Sequence, residues 1–284
     1  MLVTKKKAML LMGVLVAMGT MFSCQQEEIA PLAQEDIPAQ IKTALTDLQF
    51  DISDLKQVQH DNPLTGESSL MYQVEGDVLL SKDQIMEMAG NASLLQKLAE
   101  EQYRTNNLVT GLPRTIRICG YTGGSYALDQ TMQTGLQWAV NNYNALNIGL
   151  TFTLTFTSNY SGYDITVYKT SNTGAGGSAG FPSTSGDPYG FVQIYSGTSA
   201  YGYNAMEHVM GHEIGHCLGM RHSDYHNRSL SCGTGGNEGS AGVGAIPIPG
   251  TPTWDPNSLF NSCFAADTDG EFSNYDIVAL EYLY

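Results

Sequence analysis

Positive charge is scarce in this sequence. Its 284 residues include 13 Lys and Arg against 28 Asp and Glu, which gives a net charge of −15. Three of the Lys and none of the acidic residues lie in residues 1–23, so the rest of the chain carries a net charge of −18. Such an acidic surface repels phosphate backbones, and we therefore expect no nucleic acid partner.

Long hydrophobic runs are scarce too. The clearest run, residues 8–22, follows three consecutive Lys at 5–7 and is too short for a comfortable membrane span. A positive segment followed by a short apolar run is typical of a secretory signal peptide. We therefore expect residues 1–23 to be a signal peptide and the protein to be extracytoplasmic.

Cys24 follows this run, directly after a small residue, and resembles the lipidation site of bacterial lipoproteins. Met21 departs from that pattern, which usually has Leu, whereas residues 25–28 resemble the acidic signal for cell-surface display. The resemblance implies an outer-membrane lipoprotein, surface-exposed or released, that meets the membrane only through its N-terminal lipid anchor. Cleavage at another position and an uncleaved anchor are the alternatives.

Three of the six histidines lie within residues 212–222, at spacings that suit a metal ion. His212 and His216 are four residues apart, so a helix places both on one face, and Glu213 lies beside them. His222 would lie roughly 240° away on a continuous helix, so the helix must end before it. Gly219 suits the left-handed residue that ends a helix. Three imidazoles with one open position predict a catalytic zinc ion, and a buried helix with hydrogen-bonded histidines is the alternative.

This stretch resembles the metzincin metallopeptidases, and Gly215-His216 and Ser223 resemble their matrixin variant. It is most similar to the bacterial dual-action HEIGH metallopeptidases, whose name spells residues 212–216, and the resemblance extends from about Val74 to the C-terminus. It implies an α/β (α+β) zincin fold, with a twisted mixed sheet, an active-site helix and a C-terminal helix. It also implies a protein or peptide substrate.

The element order predicted from periodicity agrees with this fold. Strict alternation predicts a strand at Leu150–Phe156, and helical spacing predicts a helix over Tyr126–Leu146. The resemblance implies an edge strand above the substrate cleft in the glycine-rich residues 174–190. Further strands are expected at residues 115–118, 164–168 and 191–195, followed by a zinc helix that begins near Asn204.

Two residues are candidates for supporting the metal site. Asp224, two residues after His222, would orient a ligand histidine or cap the turn. Phe260 stands in Ser258–Asn261 at the position where the family's turn under the zinc has Met, which implies an altered packing platform. His208 lies on the same helix face as the ligands and is expected to pack beside the site rather than bind the metal.

The remaining expectations concern the C-terminal part. Cys232 and Cys263 bracket a long loop and are a candidate disulfide in an exported protein, whereas Cys119 and Cys217 pair with each other or stay thiols. Residues 267–270 mimic part of a calcium loop, but Ala265 takes its first ligand position, so calcium is unsupported. Ser273 with Asp276 predicts a capping box that opens a closing helix.

The sequence predicts residues 24–40 as a tether, 41–112 as an N-terminal region and 113–284 as the catalytic domain. Ser81 with Gln84 predicts a helix start, residues 75–77 a turn or bulge, and residues 103–113 a linker. The N-terminal region is either a removable propeptide or a permanent support domain. The matrixin latency motif Pro-Arg-Cys-Gly is absent, and residues 117–120 echo it only in part.

The functional hypothesis is a zinc endopeptidase, expected to be a monomer. A zinc-activated water attacks the peptide carbonyl, and Glu213 acts as general base. The alternative, motivated by Phe260, is a surface-exposed binding protein or pseudoenzyme that retains the zinc fold. The presence of Glu213 favours the enzyme, because a structural zinc does not need a general base.

Overall fold

The computed structural model describes residues 37–48, 50–91, 102–239 and 244–284. The predicted signal peptide, the lipidation site Cys24 and most of the tether lie outside these residues. Within the described ranges, no helix is both long and apolar enough to cross a bilayer.

The larger layer is a five-stranded mixed sheet. Its strands, in their order across the sheet, are β6 (Leu150–Thr157), β5 (Arg114–Tyr121), β7 (Ile165–Thr170), β9 (Phe191–Tyr195) and β8 (Gly177–Ser178). Its first four strands are parallel and β8 runs antiparallel to β9. The alternation in Leu150–Thr157 buries Leu150 and Phe152 on one face, as a strand packed on one side requires. The predicted mixed α/β architecture is therefore confirmed.

Two long helices pack against each other and contribute to one core with this sheet. Helix α3 (Gln130–Ala145) begins at the N-cap Asp129, which accepts a hydrogen bond from Met132 N at 3.0 Å. Helix α4 (Gly202–Leu218) follows a 3-10 turn. A Cβ on Gly135 would lie 2.6 Å from Met206 Cγ, so the absence of a side chain there lets the two helices approach closely.

The C-terminal part adds two short helices and a two-stranded ladder. Ser273 and Asp276 form the predicted capping box at the start of the last helix. These elements are α5 (Ser229–Cys232), α6 (Asn274–Leu283), and β4 (Tyr103–Arg104) paired with β10 (Ile246–Pro247).

The interpretation of residues 103–113 as a linker is wrong for their first part. Tyr103 is buried, and Gln102 N donates to Thr251 Oγ1 at 2.8 Å. The partner strand of β4 lies more than 140 residues away, so no local pattern in the sequence indicates the pairing. Residues 102–104 thus pack with the C-terminal part of the chain, although the predicted catalytic domain begins only at Pro113.

The N-terminal unit, which is made of the described residues between 37 and 91, has its own antiparallel sheet and a small core that Phe181 of the larger layer completes. Ser81 and Gln84 form the predicted capping box, with Ser81 N donating to Gln84 Oε1 at 2.8 Å and Gln84 N to Ser81 Oγ at 3.2 Å. Glu75 opens the turn after the second strand with a positive φ of 57°. The elements are α1 (Ala39–Asp47), β1 (Lys56–Asp61), β2 (Ser68–Val74), β3 (Val78–Ser81) and α2 (Lys82–Asn91).

Glu207 on α4 makes stability depend on pH. Its side chain is buried and accepts a hydrogen bond from Asn142 Nδ2 at 2.9 Å. Burial raises the pKa of Glu207 from 4.5 to about 7, because the charged form loses its hydration, and the acidic residues Asp269 and Glu271 add to the rise.

The folded state therefore holds a proton that the unfolded state loses, and Glu207 makes folding less favourable as pH rises from about 4.5 to 7. Glu207→Gln stays uncharged at every pH and keeps a carbonyl for Asn142. We expect its advantage in free energy of unfolding over the parent to grow to about 1–2 kcal/mol by pH 8. Denaturant unfolding at several pH values measures this, and an advantage that does not change with pH would contradict it.

Candidate metal centre

Helix α4 and the loop after it bring the three predicted ligand histidines together. His212 and His216 lie one turn apart on the buried helix, which ends where Gly219 adopts a left-handed conformation with φ of 107°. The chain then reverses and returns His222 to the same point. One ring nitrogen of each histidine and a carboxylate oxygen of Asp77 all lie within 4.8 Å of one another.

Each histidine is fixed through its Nδ1 atom. His212 Nδ1 lies 2.9 Å from Leu259 O, His216 Nδ1 lies 2.8 Å from Met220 O, and His222 Nδ1 lies 2.8 Å from Glu238 Oε1. All three partners are hydrogen-bond acceptors, so each Nδ1 carries a proton and each Nε2 is the ring nitrogen left for a metal ion.

The Nε2 atoms converge where a metal ion would bind. In the described part of the chain, the buried Nε2 atoms of His212 and His216 have no hydrogen-bond partner. A buried acceptor without a partner is costly, and a metal ion satisfies it. Three imidazoles with a hydrogen-bond acceptor behind each ring are a ligand set that suits zinc.

Glu238 is a supporting residue that the sequence did not reveal. It lies 16 residues after His222, in a loop without periodicity, and it is fully buried. Burial opposes its ionisation, but His222 and Arg221 outweigh this effect and lower the pKa of Glu238. The carboxylate is therefore charged and holds the His222 ring in one orientation.

Asp224 makes different contacts from those of Glu238. Its carboxylate accepts hydrogen bonds from Ser231 Oγ at 2.5 Å and from Ser262 N and Oγ at 2.9 Å. These contacts join the loop of the third histidine to the segment after Phe260. Among the described contacts, the carboxylate on the Nδ1 atom of a ligand histidine is that of Glu238, not of Asp224.

Glu213 lies beside the three histidines and is buried. Burial raises the pKa of Glu213 well above its usual value, and the nearby Asp77 carboxylate raises it further, whereas His222 opposes the rise. The edge strand β8 passes directly over it. A Cβ on Gly177 would lie 2.8 Å from Glu213 Oε1 and Cγ, so only glycine lets this strand come so close.

Phe260 forms the floor of the site. Its ring centre lies 6.2 Å from that of His212, and a Cβ on Gly215 would lie 2.0 Å from Phe260 Cε1. The glycine in the His212–His216 motif thus leaves room for the aromatic ring. Asp276 fixes the turn, because its carboxylate accepts hydrogen bonds from Leu259 N at 2.8 Å and from Ser258 Oγ at 2.5 Å.

His208 packs at the edge of the site. Its Nδ1 lies 3.0 Å from Thr268 Oγ1, and its ring centre lies 4.9 Å from that of Phe264. Burial lowers the pKa of His208 to about 3, and His212 lowers it further. Beside it lies a cavity of about 330 Å³, lined in part by Tyr195, Tyr201, Val209, Glu213 and Phe264.

Asp77 is the second residue that sequence reasoning missed, because its turn carries no ligand spacing. Its Oδ2 atom lies 3.2 Å from His222 Nε2, 3.5 Å from His212 Nε2 and 4.0 Å from His216 Nε2. A carboxylate from the N-terminal unit thus completes a four-residue cluster.

Four of the five cysteines lie in the described residues. Cys232 and Cys263 form a disulfide, as the sequence predicts. Cys119 and Cys217 are buried free thiols. Since neither thiol belongs to a cluster of potential ligands in the described residues, the metal centre is built from histidine and carboxylate.

Two histidines on a helix that ends at a glycine, with a third histidine just after it, define a metal-dependent hydrolase site. The family model of the dual-action HEIGH metallo-peptidases matches residues 72–284. The chain belongs to this family and is a metallopeptidase.

Comparison with solved structures gives distant matches. Two structures of myroilysin align at 15% identity, with TM-scores of 0.41 and 0.36. They cover 62% and 61% of this chain, and 95% and 83% of their own chains. No curated protein sequence matches the chain.

The contact between Glu238 and His222 predicts a measurable effect on metal affinity. Glu238→Gln keeps the shape of the side chain but removes the charge that orients the ring. We expect zinc affinity to fall by about 10- to 100-fold, measured by competition with a chromogenic chelator. Glu271→Gln, at an exposed position, is the control and should match the parent. Unchanged affinity in a folded Glu238→Gln protein would show that this carboxylate does not support the ligand.

Proposed function

We propose that this protein is a zinc-dependent endopeptidase in which His212, His216 and His222 hold the metal and Glu213 is the general base. The observation that carries the proposal is the convergence of the three Nε2 atoms beside a buried carboxylate. Glu213 has no other evident role, since its Oε2 has no hydrogen-bond partner among the described residues.

Zinc, when bound, supplies a Lewis acid that lowers the pKa of water and polarises the peptide carbonyl. The chain's own residues transfer the proton and orient the metal ligands. Glu213 accepts a proton from the attacking water and passes it to the leaving amine, for which its raised pKa is suited. Glu238 and the carbonyls of Leu259 and Met220 keep the rings in place during this transfer.

The edge of the sheet offers a place for the substrate backbone. Strand β8 lies directly over Glu213 and is the last strand of its sheet. An extended peptide can add to such an edge through backbone hydrogen bonds, and the cavity beside Val209 and Phe264 would take a side chain. Backbone recognition of this kind suits protein substrates of varied sequence.

A binding protein or pseudoenzyme that only keeps the zinc fold is not favoured. Phe260 motivated this alternative, and its ring is accommodated at the position that Gly215 leaves open. The floor therefore stays packed although the residue differs from Met.

The role of Glu213 is tested by replacing it with glutamine. Glu213→Gln keeps the size of the side chain and the three histidines, so we expect about one zinc per chain and cleavage of unfolded protein slowed by about 10²- to 10⁴-fold. Zinc is measured by elemental analysis and cleavage with a labelled unfolded protein. The parent treated with a chelator should lose activity and regain it with zinc. A zinc-loaded variant as active as the parent would rule out the proposed base.

We further propose that the protein is exported and anchored through a lipid on Cys24. This rests on the charged and apolar start of the sequence, and the disulfide between Cys232 and Cys263 is consistent with an oxidising compartment.

Cys24→Ala tests the anchor. In a bacterium with an outer membrane, we expect the parent in the membrane fraction and the variant in the soluble fraction, because the acylated residue is lost. Fractionation and immunoblotting measure this, with Cys119→Ala as the control for loss of a thiol. Equal membrane association of Cys24→Ala and parent would contradict lipid anchoring.

A further inference from the structure

The turn at Glu75, Gly76 and Asp77 enters the metal centre from the N-terminal unit. We propose that this turn, here called the plug, keeps the peptidase latent, with Asp77 as a fourth metal ligand in the place that water needs. The proposal rests on the proposed function, because it assigns a regulation to the same site.

The position of Asp77 supports this role. Its Oδ2 atom lies on the open side of all three histidines, at 3.2 to 4.0 Å from their Nε2 atoms. Its Oδ1 atom is buried without a hydrogen-bond partner among the described residues. A carboxylate oxygen that lies among three ring nitrogens, two of them without a hydrogen-bond partner in the described residues, suits a shared cation. With Asp77 bound, a tetrahedral ion has no position left for water.

A buried ion pair holds the plug in place. Both carboxylate oxygens of Glu75 lie 2.9 Å from Arg221 Nη2, and both side chains are 1% exposed. Arg221 directly precedes His222, so the loop that presents the third ligand also binds the plug. Glu75 adopts a positive φ of 57°, which is unfavourable for a residue with a side chain. The ion pair offsets this cost.

The plug also occupies the edge of the catalytic sheet. Leu79 N donates to Ala179 O at 3.1 Å, and Ala179 N donates to Asp77 O at 3.3 Å, which makes a parallel bridge next to β8. These are the backbone groups that an added substrate strand would need. The plug therefore excludes both the water and the substrate.

The N-terminal unit can leave without dismantling the catalytic layer. The described residues between 37 and 91 have their own sheet and supply all but one side chain of their core, the exception being Phe181. The chain from Gln102 onward is bonded into the larger layer, for example through Thr105 N to Gly219 O at 2.8 Å. A ligand on the same chain acts at an effective concentration on the order of millimolar or above, so free substrate competes poorly until the unit detaches.

The test uses the full chain with Glu213→Gln in every variant, so that the protein cannot process itself. Each protein is loaded with zinc, and binding of acetohydroxamic acid, a small bidentate zinc ligand, is measured by calorimetry. We expect Asp77→Ala to bind it at least tenfold more tightly than the Asp77 protein, because the ligand position is open. Asp83→Ala, an exposed acid on α2, is the matched control and should bind like the Asp77 protein.

A second variant tests the ion pair. Glu75→Gln keeps the shape of the plug but weakens its contact with Arg221, so we expect intermediate binding and faster hydrogen exchange at the Leu79 amide. Equal hydroxamate binding with and without Asp77 would overturn the proposal. Because Asp77 is proposed as a ligand, its removal should weaken zinc binding, and equal zinc affinity with and without Asp77 would also overturn the proposal.

Restoring Glu213 separates this proposal from the proposed function. Intact chains, verified by mass, are compared on unfolded protein before any processing. If Asp77→Ala binds hydroxamate but cleaves nothing, the plug is supported and the peptidase mechanism fails. If Asp77→Ala and the parent cleave equally as intact chains, the peptidase stands and latency is overturned. Faster cleavage by Asp77→Ala supports both.

Discussion

The site depends on one requirement, that three imidazoles each place a proton on Nδ1 and a lone pair on Nε2. The three acceptors that enforce this come from separate places: the carbonyl of Met220 just beyond the helix, the carbonyl of Leu259 in the floor turn and the carboxylate of Glu238 in a loop. A metal ion binds weakly to rings that are free to rotate, because their orientation must then be fixed upon binding. All three acceptors lie in the chain beyond α4, so the folding of that part decides the orientation of the rings.

The floor turn shows how this support is built. Asp276, itself buried at the start of α6, fixes Leu259 and Ser258 through its carboxylate, and Leu259 in turn holds His212. Phe260 fills the space over Gly215. A capping residue of the last helix thus contributes to a metal ligand two contacts away, which couples the stability of the C-terminal helix to the geometry of the site.

Buried charge is concentrated around the third histidine. Glu75, Arg221 and Glu238 are almost fully buried and pair with one another or with His222. Such pairs cost desolvation energy that their attraction only partly returns, so they contribute specificity more than stability. Here the specificity is for one segment, since the N-terminal unit supplies Glu75 and Asp77 while the catalytic layer supplies their partners.

The sequence by itself determined the ligand helix, its glycine end, the succession of strands along the chain and two capping boxes, because each depends on patterns within a few neighbouring positions. It also indicated the turn at Glu75–Asp77, without revealing where that turn lies. Only the tertiary structure decided that Glu238 rather than Asp224 holds His222, that Tyr103 belongs to the catalytic layer, and that Asp77 reaches the metal site. These contacts join residues far apart in the chain, and in a single sequence no spacing records which distant side chains will meet.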